Sequence, residues 1–335
     1  MDLNRFNLGV GPMSPEIVTL CLEYSHIYSF PLMIIASRNQ ADYDSGYVCT
    51  TSQLSTLIKD SQYYDPERIL LCRDHCGPYF SDLDSGLDLE AAMQRCIATI
   101  KSDCAAGFDL IHIDVSRIPK VELQKSSAIR LYQVAKECNP KIKFEFGSEQ
   151  NEIGNVSEIE VRDSLDIAKA LLPELKFFVS PTGSLTKHIQ VGEFDVDTVK
   201  KLVDLVHTEG LLFKEHNADY LSIDEVKLRR AAGIDALNIA PQLGRVQTEV
   251  LHDLGHFLGP VYTNFKELAL GNGYWGRWVP CTVTDDNTKF FVSGHYHFAS
   301  NEALQLRNAI GSQFMEHLRI SMFATLDCYR LGYHV

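Results

Sequence analysis

Short apolar runs recur along this chain, separated by stretches whose apolar positions fall at helical spacing. The runs lie near 6–11, 31–37, 69–74, 110–115, 144–149, 177–182, 211–216 and 236–241, and are rich in Ile, Leu, Val and Phe. Runs of this length and apolarity read as strands buried on both faces, the mark of a parallel sheet. Their spacing, roughly 25 to 40 residues, suits one strand–helix unit each. The intervening segments carry helix punctuation. Ser14-Pro15-Glu16 offers an N-cap followed by proline at the first helical position. Leu89 to Ala105 ends before Gly107, Val196 to Glu209 ends at Gly210, and 222–232 ends at Gly233. The pattern predicts a closed (β/α)8 TIM barrel over 1–257. A helix is expected over 246–257, after which the pattern changes. Gly271 to Trp278 is rich in glycine and aromatics, Asp285-Asp286-Asn287 reads as a turn, Phe290 to Phe298 as a strand, and 301–325 as helical. The segment 258–335 is expected to be a C-terminal tail or lid on the barrel.

Composition narrows the class of partner. With 335 residues, 45% of them hydrophobic, the chain can build one large core. A formal net charge of −13 argues against nucleic acid and anionic membrane, which both favour a basic face. The nine cysteines follow no framework spacing and read as reduced thiols of a cytoplasmic protein. Cys72 and Cys76 flank Asp74-His75, but a single such pair is a weak zinc signal. No run reaches the roughly 18 apolar residues of a membrane span. Asp2 and Arg5 lead straight into Phe6–Val10, so no signal peptide is expected.

The chemistry sits where the runs end. Arg73 is followed by Asp74-His75, Ile113 by Asp114, Ser148 by Glu149 and Glu215 by His216, and the segment after Ser180 ends in Lys187-His188. In a parallel barrel the C-terminal strand ends share one face, so these residues would converge there. A catalytic zinc takes about three protein ligands and leaves one position open. His75, His188 and His216 are the expected ligands. An open metal polarises a carbonyl and favours an enediolate, with a nearby group moving the hydroxyl proton. Asp74 is the candidate for that proton, Glu149 a ligand or second acid–base group, and Asp114 a residue that orients a ligand. His112 reads as structural, on the face opposite Asp114. His252 and His256, at i and i+4 with no intervening Glu, read as helix surface, and His295 and His297 as part of an exposed hairpin. Mn2+ or Co2+ would suit the same ligands as Zn2+.

These residues carry a family resemblance that covers most of the chain. Ala36-Ser37-Arg38-Asn39-Gln40 with Gly46-Tyr47 resembles A-T-x-N-Q…G-G-Y, and Arg73 to Pro78 resembles G-D-H-x-G-P. Gly107 to Ser116 resembles G-F-x-x-I-H-x-D-x-S, Gly147-Ser148-Glu149 resembles G-T-E, and Glu215 to Tyr220 resembles A-H-S-T-D-Y. The pattern is similar to the class II, zinc-dependent aldolases, and most of all to the non-catalytic subunit of tagatose-1,6-bisphosphate aldolase with its tagatose (fructose) 6-phosphate 4-epimerase relatives. The resemblance implies a (β/α)8 barrel, a zinc site and retro-aldol chemistry. Asp74 matches the acid–base aspartate, His75 the adjacent metal ligand and His216 the late-strand ligand. His188 matches the G-T-x-H-G histidine only across a longer loop.

Two stretches depart from the bisphosphate pattern. Bisphosphate aldolases hold a phosphate on glycine- and serine-rich turns after the last two strands. Here those turns read His216-Asn217-Ala218-Asp219 and Asn238-Ile239-Ala240-Pro241-Gln242. Pro241 removes a donor and Asp219 would repel an anion. Ser293 to His297 stands where the relatives' Ser-Asp-Arg segment would lie. Lys187, Arg277 and Arg117 are the remaining anion candidates, and Asn39, Gln40, Asp219 and Asn238 complete the expected substrate contacts. The expected function is a metal-dependent enzyme inverting C4 of a ketose or ketose monophosphate by retro-aldol and aldol steps. C3 epimerisation uses the same metal. The alternatives are a class II aldolase, or a non-catalytic stabilising subunit of a tagatose-bisphosphate aldolase. A homo-oligomer is compatible with either.

Overall fold

A computed structural model describes residues 2–147, 158–180, 182 and 194–333. Eight parallel strands close into a barrel: β1 (Leu8–Val10), β2 (Leu32–Ser37), β5 (Ile69–Cys76), β6 (Leu110–Ile113), β7 (Lys143–Gly147), β8 (Leu175–Val179), β9 (Leu212–Glu215) and β10 (Ala236–Ile239). Two short strands, β3 (Ala41–Asp42) and β4 (Cys49–Thr50), pair beside it. The order around the barrel is β1-β10-β9-β8-β7-β6-β5-β2, so neighbours in sequence are neighbours in space and β10 returns to β1. The helices α1 (Pro15–Tyr28), α2 (Thr51–Lys59), α3 (Leu89–Ala106), α4 (Val121–Cys138), α5 (Glu158–Leu171), α6 (Val196–Thr208), α7 (Ile223–Ala231) and α8 (Pro241–Gly255) follow the strands. This is a TIM barrel, with each predicted run supplying one of the eight strands.

The caps behave as their residue types require. Ser14 accepts from the Ile17 amide at 3.1 Å, with Pro15 at the first position of α1. Asp88 caps α3, which ends at left-handed Gly107. Ser222 and Glu225 form a reciprocal capping box on α7. The helix after β10 begins at Pro241, five residues before its expected start. That proline satisfies the rule for a first helical position as well as the rule against a donor in a turn.

Alternation along the strands sorts two cores. Leu8, Ile34, Leu71, Ile111 and Leu237 face outward against the helices. Phe6, Met33, Ile35, Leu70, Cys72, Leu110, Phe177 and Ala236 plug the barrel interior. Toward the C-terminal strand ends this plug gives way to ionisable side chains. Lys214 marks the boundary, with its ammonium 4.4 Å from the Phe177 ring centroid and also bound to Glu145.

The tail corrects the sequence expectation. It is helical: α9 (Pro260–Gly271), α10 (Asp286–Ser293), α11 (Asn301–Ile310) and α12 (Gln313–Tyr333). Residues 290–298, expected as a strand, form the end of α10 and a 3-10 turn, and His295 is buried rather than on an exposed hairpin. Helix α12 returns to the barrel and packs on α1, α7 and α8. Tyr329 reaches down to donate to the Ala218 carbonyl at 2.8 Å.

Candidate metal centre

Asp74, His75, His112 and His216 bring one ligand atom each within 4.8 Å of one another, at the C-terminal mouth of the barrel. They come from β5, β6 and the end of β9. Two of them are adjacent in sequence, which regular alternation would send to opposite faces. The strand resolves this with a shift in register against β6 between Arg73 and Cys76, and with His75 in a left-handed conformation, φ 45°. A residue added to the ladder turns the next side chain inward, so Asp74 and His75 both face the site. Gly77 then passes so close to the Asp114 carbonyl oxygen that any Cβ would collide with it.

Each imidazole has one nitrogen engaged by an acceptor. His75 Nδ1 lies 2.8 Å from Asp114 Oδ2, His216 Nε2 lies 2.6 Å from Glu145 Oε1, and His112 Nε2 lies 3.4 Å from the Gly147 carbonyl. Such contacts set the tautomer and leave the other nitrogen as the donor to a cation. The opposite nitrogens converge on one carboxylate. His75 Nε2, His112 Nδ1 and His216 Nδ1 lie 3.8, 3.5 and 3.7 Å from Asp74 oxygens. His112 Nδ1 is buried without a hydrogen-bond partner among the described residues. Three imidazoles and a carboxylate are a fitting donor set for zinc, and the orphaned nitrogen of His112 is what a ligand atom awaiting a cation looks like. The residues present therefore fit a divalent metal.

The electrostatics point the same way. Burial pushes Asp74 up, but the imidazoles of His75, His216 and His112 outweigh it and hold the carboxyl well below its usual range. Burial acts to lower His75, and the carboxylates of Asp74, Asp114 and Glu145 reverse this, raising it to about 9. Glu145 is raised by burial and lowered more by Lys214 and His216, so it stays ionised deep in the barrel. Asp114 is raised by burial and lowered more by His75 and His112. The Phe80 ring stacks on His75 at 5.1 Å and 6°, and the Arg117 guanidinium lies 4.2 Å from the Phe80 ring centroid.

The structure brings Asp74, His75, His216 and Asp114 together. It corrects the reading of His112, which joins the cluster; Asp114 is two residues further on and shares its face rather than opposing it. Glu145 and Lys214, which sequence reasoning left unmentioned, lie directly beneath. Both are charged residues at inward-facing positions of buried strands, legible as such only once the strands are known to line a barrel. Glu149, Lys187 and His188 fall outside the described residues. Asn39 exchanges hydrogen bonds with Asp82 and lines a cleft of about 340 Å³ at the barrel rim together with Tyr47, Tyr274 and Tyr296. Arg277 pairs with Asp82 at 2.7 Å on the rim. Gln40 is turned inward, accepting from the Ser37 amide at 2.8 Å. Asp219 accepts from the amides of Ala240 and Gln242. Cys72 and Cys76 are buried thiols in the two cores, each pushed well above the ordinary cysteine range by burial.

Comparison with known proteins agrees with this architecture. A family model described as D-tagatose-1,6-bisphosphate aldolase subunit GatZ/KbaZ-like matches residues 9–142. The D-tagatose-1,6-bisphosphate aldolase subunit GatZ of Escherichia coli O17:K52:H18 (strain UMN026) is 22% identical over 241 residues, 62% of this chain. The match spans 57% of that relative's length, little more than half. Among solved structures, a probable tagatose 6-phosphate kinase from Sinorhizobium meliloti 1021 superposes with a TM-score of 0.81 at 19% identity, covering 97% of this chain and 99% of the other. A fructose-bisphosphate aldolase from Campylobacter jejuni gives 0.58 at 13% identity, covering 97% and 88%. At such identities these two likenesses speak for the fold alone, a TIM barrel with C-terminal helices. The family model and the curated relative make the chain similar to the tagatose-bisphosphate aldolase subunits over the stretches they match. Among the described residues no helix is long and apolar enough to cross a membrane.

Proposed function

We propose that the chain is a metal-dependent carbohydrate enzyme that opens and recloses the C3–C4 bond of a ketose or ketose monophosphate, with net inversion at C4. The observation that carries this reading is the convergence of three acceptor-oriented imidazoles on one ionised carboxylate. His75, His112 and His216 would hold the cation, zinc by ligand type, with manganese or cobalt as alternatives. A bound divalent cation supplies Lewis acidity toward the carbonyl and hydroxyl oxygens of the ligand. Asp74, kept ionised by its neighbours, takes the C4 hydroxyl proton. The C3–C4 bond breaks, leaving an aldehyde and an enediolate. The aldehyde turns its other face, the bond re-forms, and the proton returns from Asp74 to the new C4 oxygen. Glu149 is the second proton carrier in this reading. Asp114 and Glu145 fix the ring orientations of His75 and His216. A site that retained both fragments would be an epimerase, and one that released them an aldolase.

The curated relative's name, aldolase subunit, favours a second reading, in which the chain stabilises a catalytic partner. A scaffold has no physical use for Asp74 among three imidazoles, so the enzyme reading stands first. Proton NMR of the purified, zinc-loaded protein with fructose 6-phosphate, tagatose 6-phosphate and the free ketoses, with a chelator control, tests it. The expected result is a new ketose diastereomer without free aldehyde. A triose pair would mean an aldolase. Absence of both turnover and bound zinc would sink the enzyme reading in favour of the subunit.

A further inference from the structure

The turns after β9 and β10 have spent their amides. In a barrel of this kind a phosphate is held there by backbone N–H groups and the start of the following helix. Here the Ala218 amide donates to the Asn238 carbonyl at 2.9 Å, and the Tyr220 amide donates to Gln242 Oε1 at 2.7 Å. At the head of α8 the Ala240 and Gln242 amides both donate to Asp219 Oδ1, at 3.0 and 2.8 Å. Pro241 has no amide hydrogen, and the Leu243 and Gly244 amides turn back to the Ala240 carbonyl. The carboxylate of Asp219 thus occupies the anion position itself, almost fully buried.

One polar group at this end is left over. Asn238 lies on β10 at an inward-facing position, two residues beyond Ala236 of the interior plug. It is 4% exposed, and neither Nδ2 nor Oδ1 has a hydrogen-bond partner among the described residues. The room for it comes from Gly9 on β1, where any Cβ would collide with Asn238 Oδ1. A buried primary amide with donor and acceptor both unspent is matched by a group that both donates and accepts, and a hydroxyl does so. A phosphate arriving there would meet the buried Asp219 carboxyl, with the Ala218, Tyr220, Ala240 and Gln242 amides already bound to acceptors.

We propose that Asp219 and Asn238 are specificity-determining residues: Asp219 occupies the anion position of the last two turns, and Asn238 binds an uncharged hydroxyl of the ligand there. The inference rests on the ketose reading of the metal site. A ketose with a phosphate at each end has no orientation that avoids this pocket, whereas one with a free hydroxyl end does.

The test is calorimetric binding to the zinc-loaded full chain of fructose, fructose 1-phosphate, fructose 6-phosphate and fructose 1,6-bisphosphate. The bisphosphate is expected to bind at least tenfold more weakly than the best of the other three. Asp219→Ala should narrow that gap about tenfold, and Asn238→Ala should weaken the best ligand about tenfold at unchanged zinc content. If Asp219→Ala does not fold, the ranking on the parent protein still decides. A bisphosphate that binds best overturns the inference and leaves the ketose reading standing. Failure of all four to bind despite bound zinc removes the ketose reading, and the inference with it.

Discussion

Each imidazole of the cluster has an acceptor on its second nitrogen: carboxylates for His75 and His216, and a backbone carbonyl for His112. A carboxylate acceptor raises ring basicity more than a carbonyl does, so His75 and His216 should depend most on their partners. Asp114→Asn and Glu145→Gln are each expected to lower zinc affinity about 10- to 100-fold, read by competition with a chromophoric chelator. His112→Ala removes a ligand outright and should lower it further than either; unchanged affinity would exclude His112 from the site. Asp219 gives a prediction of a different kind. Burial raises its carboxyl from 3.8 to about 7, with the Gln242 and Ala240 amides acting to lower it. An acid whose folded pKa exceeds its unfolded value binds its proton more tightly when folded. Its contribution to stability is therefore full below about pH 4 and is lost as pH rises through about 7. Urea midpoints at pH 5 and pH 8 should fall more between the two values for the parent than for Asp219→Asn. Equal changes in the two proteins would refute the assignment.

At the scale of elements, the site depends on one irregular strand end. Strand β5 carries both Asp74 and His75, and only its register shift and the left-handed His75 let adjacent residues serve one centre. Gly77 makes room for that path against the Asp114 carbonyl. Gly77→Ala should displace either β5 or the Asp114 loop. It is expected to destabilise the fold by about 1–3 kcal/mol and to weaken zinc binding by moving Asp114 off His75. Thermal unfolding and chelator competition on the same sample separate the two effects, and a fully stable, fully zinc-competent variant would contradict the role given to Gly77. The strands themselves were legible in the sequence because parallel barrel strands are buried on both faces and read as unbroken apolar runs. The strand end was less so. Apolar patterning carries no trace of a register shift, and a count along the strand that misplaces one face turns His112 from ligand to filler. Glu145 and Lys214 were hidden for a related reason: charges inside an apolar run look like interruptions until the run is known to line a barrel. In the tail, Phe290 to Phe298 alternates like a strand, but its aromatic residues pack within a helical layer, where Phe290 meets Phe265 and Tyr262. Tertiary packing overrode the local period there.

Across the whole molecule, the strand order places β9 three positions from β6, so a cation held by His112 and His216 bridges the barrel interior rather than one sheet edge. Without it, the mouth holds the carboxylates of Asp74, Asp114 and Glu145 against the charges of Lys214 and a His75 whose pKa is raised to about 9. Three carboxylates face two positive charges there, an excess of one negative charge, above an apolar plug. A cation that binds the folded barrel and not the unfolded chain stabilises it by mass action, by about 4 kcal/mol when free metal is 1,000-fold above Kd. Zinc should therefore raise the unfolding midpoint of the parent by several degrees, chelator should reverse the gain, and His75→Ala/His216→Ala should show neither response. The comparison also separates the two functional readings at the level of the fold. A scaffold that keeps these histidines only as packing would lose stability in the double variant yet show no zinc-dependent midpoint in the parent. A metal centre across the barrel predicts the reverse for zinc: the parent's midpoint follows free metal concentration, and the variant's does not move.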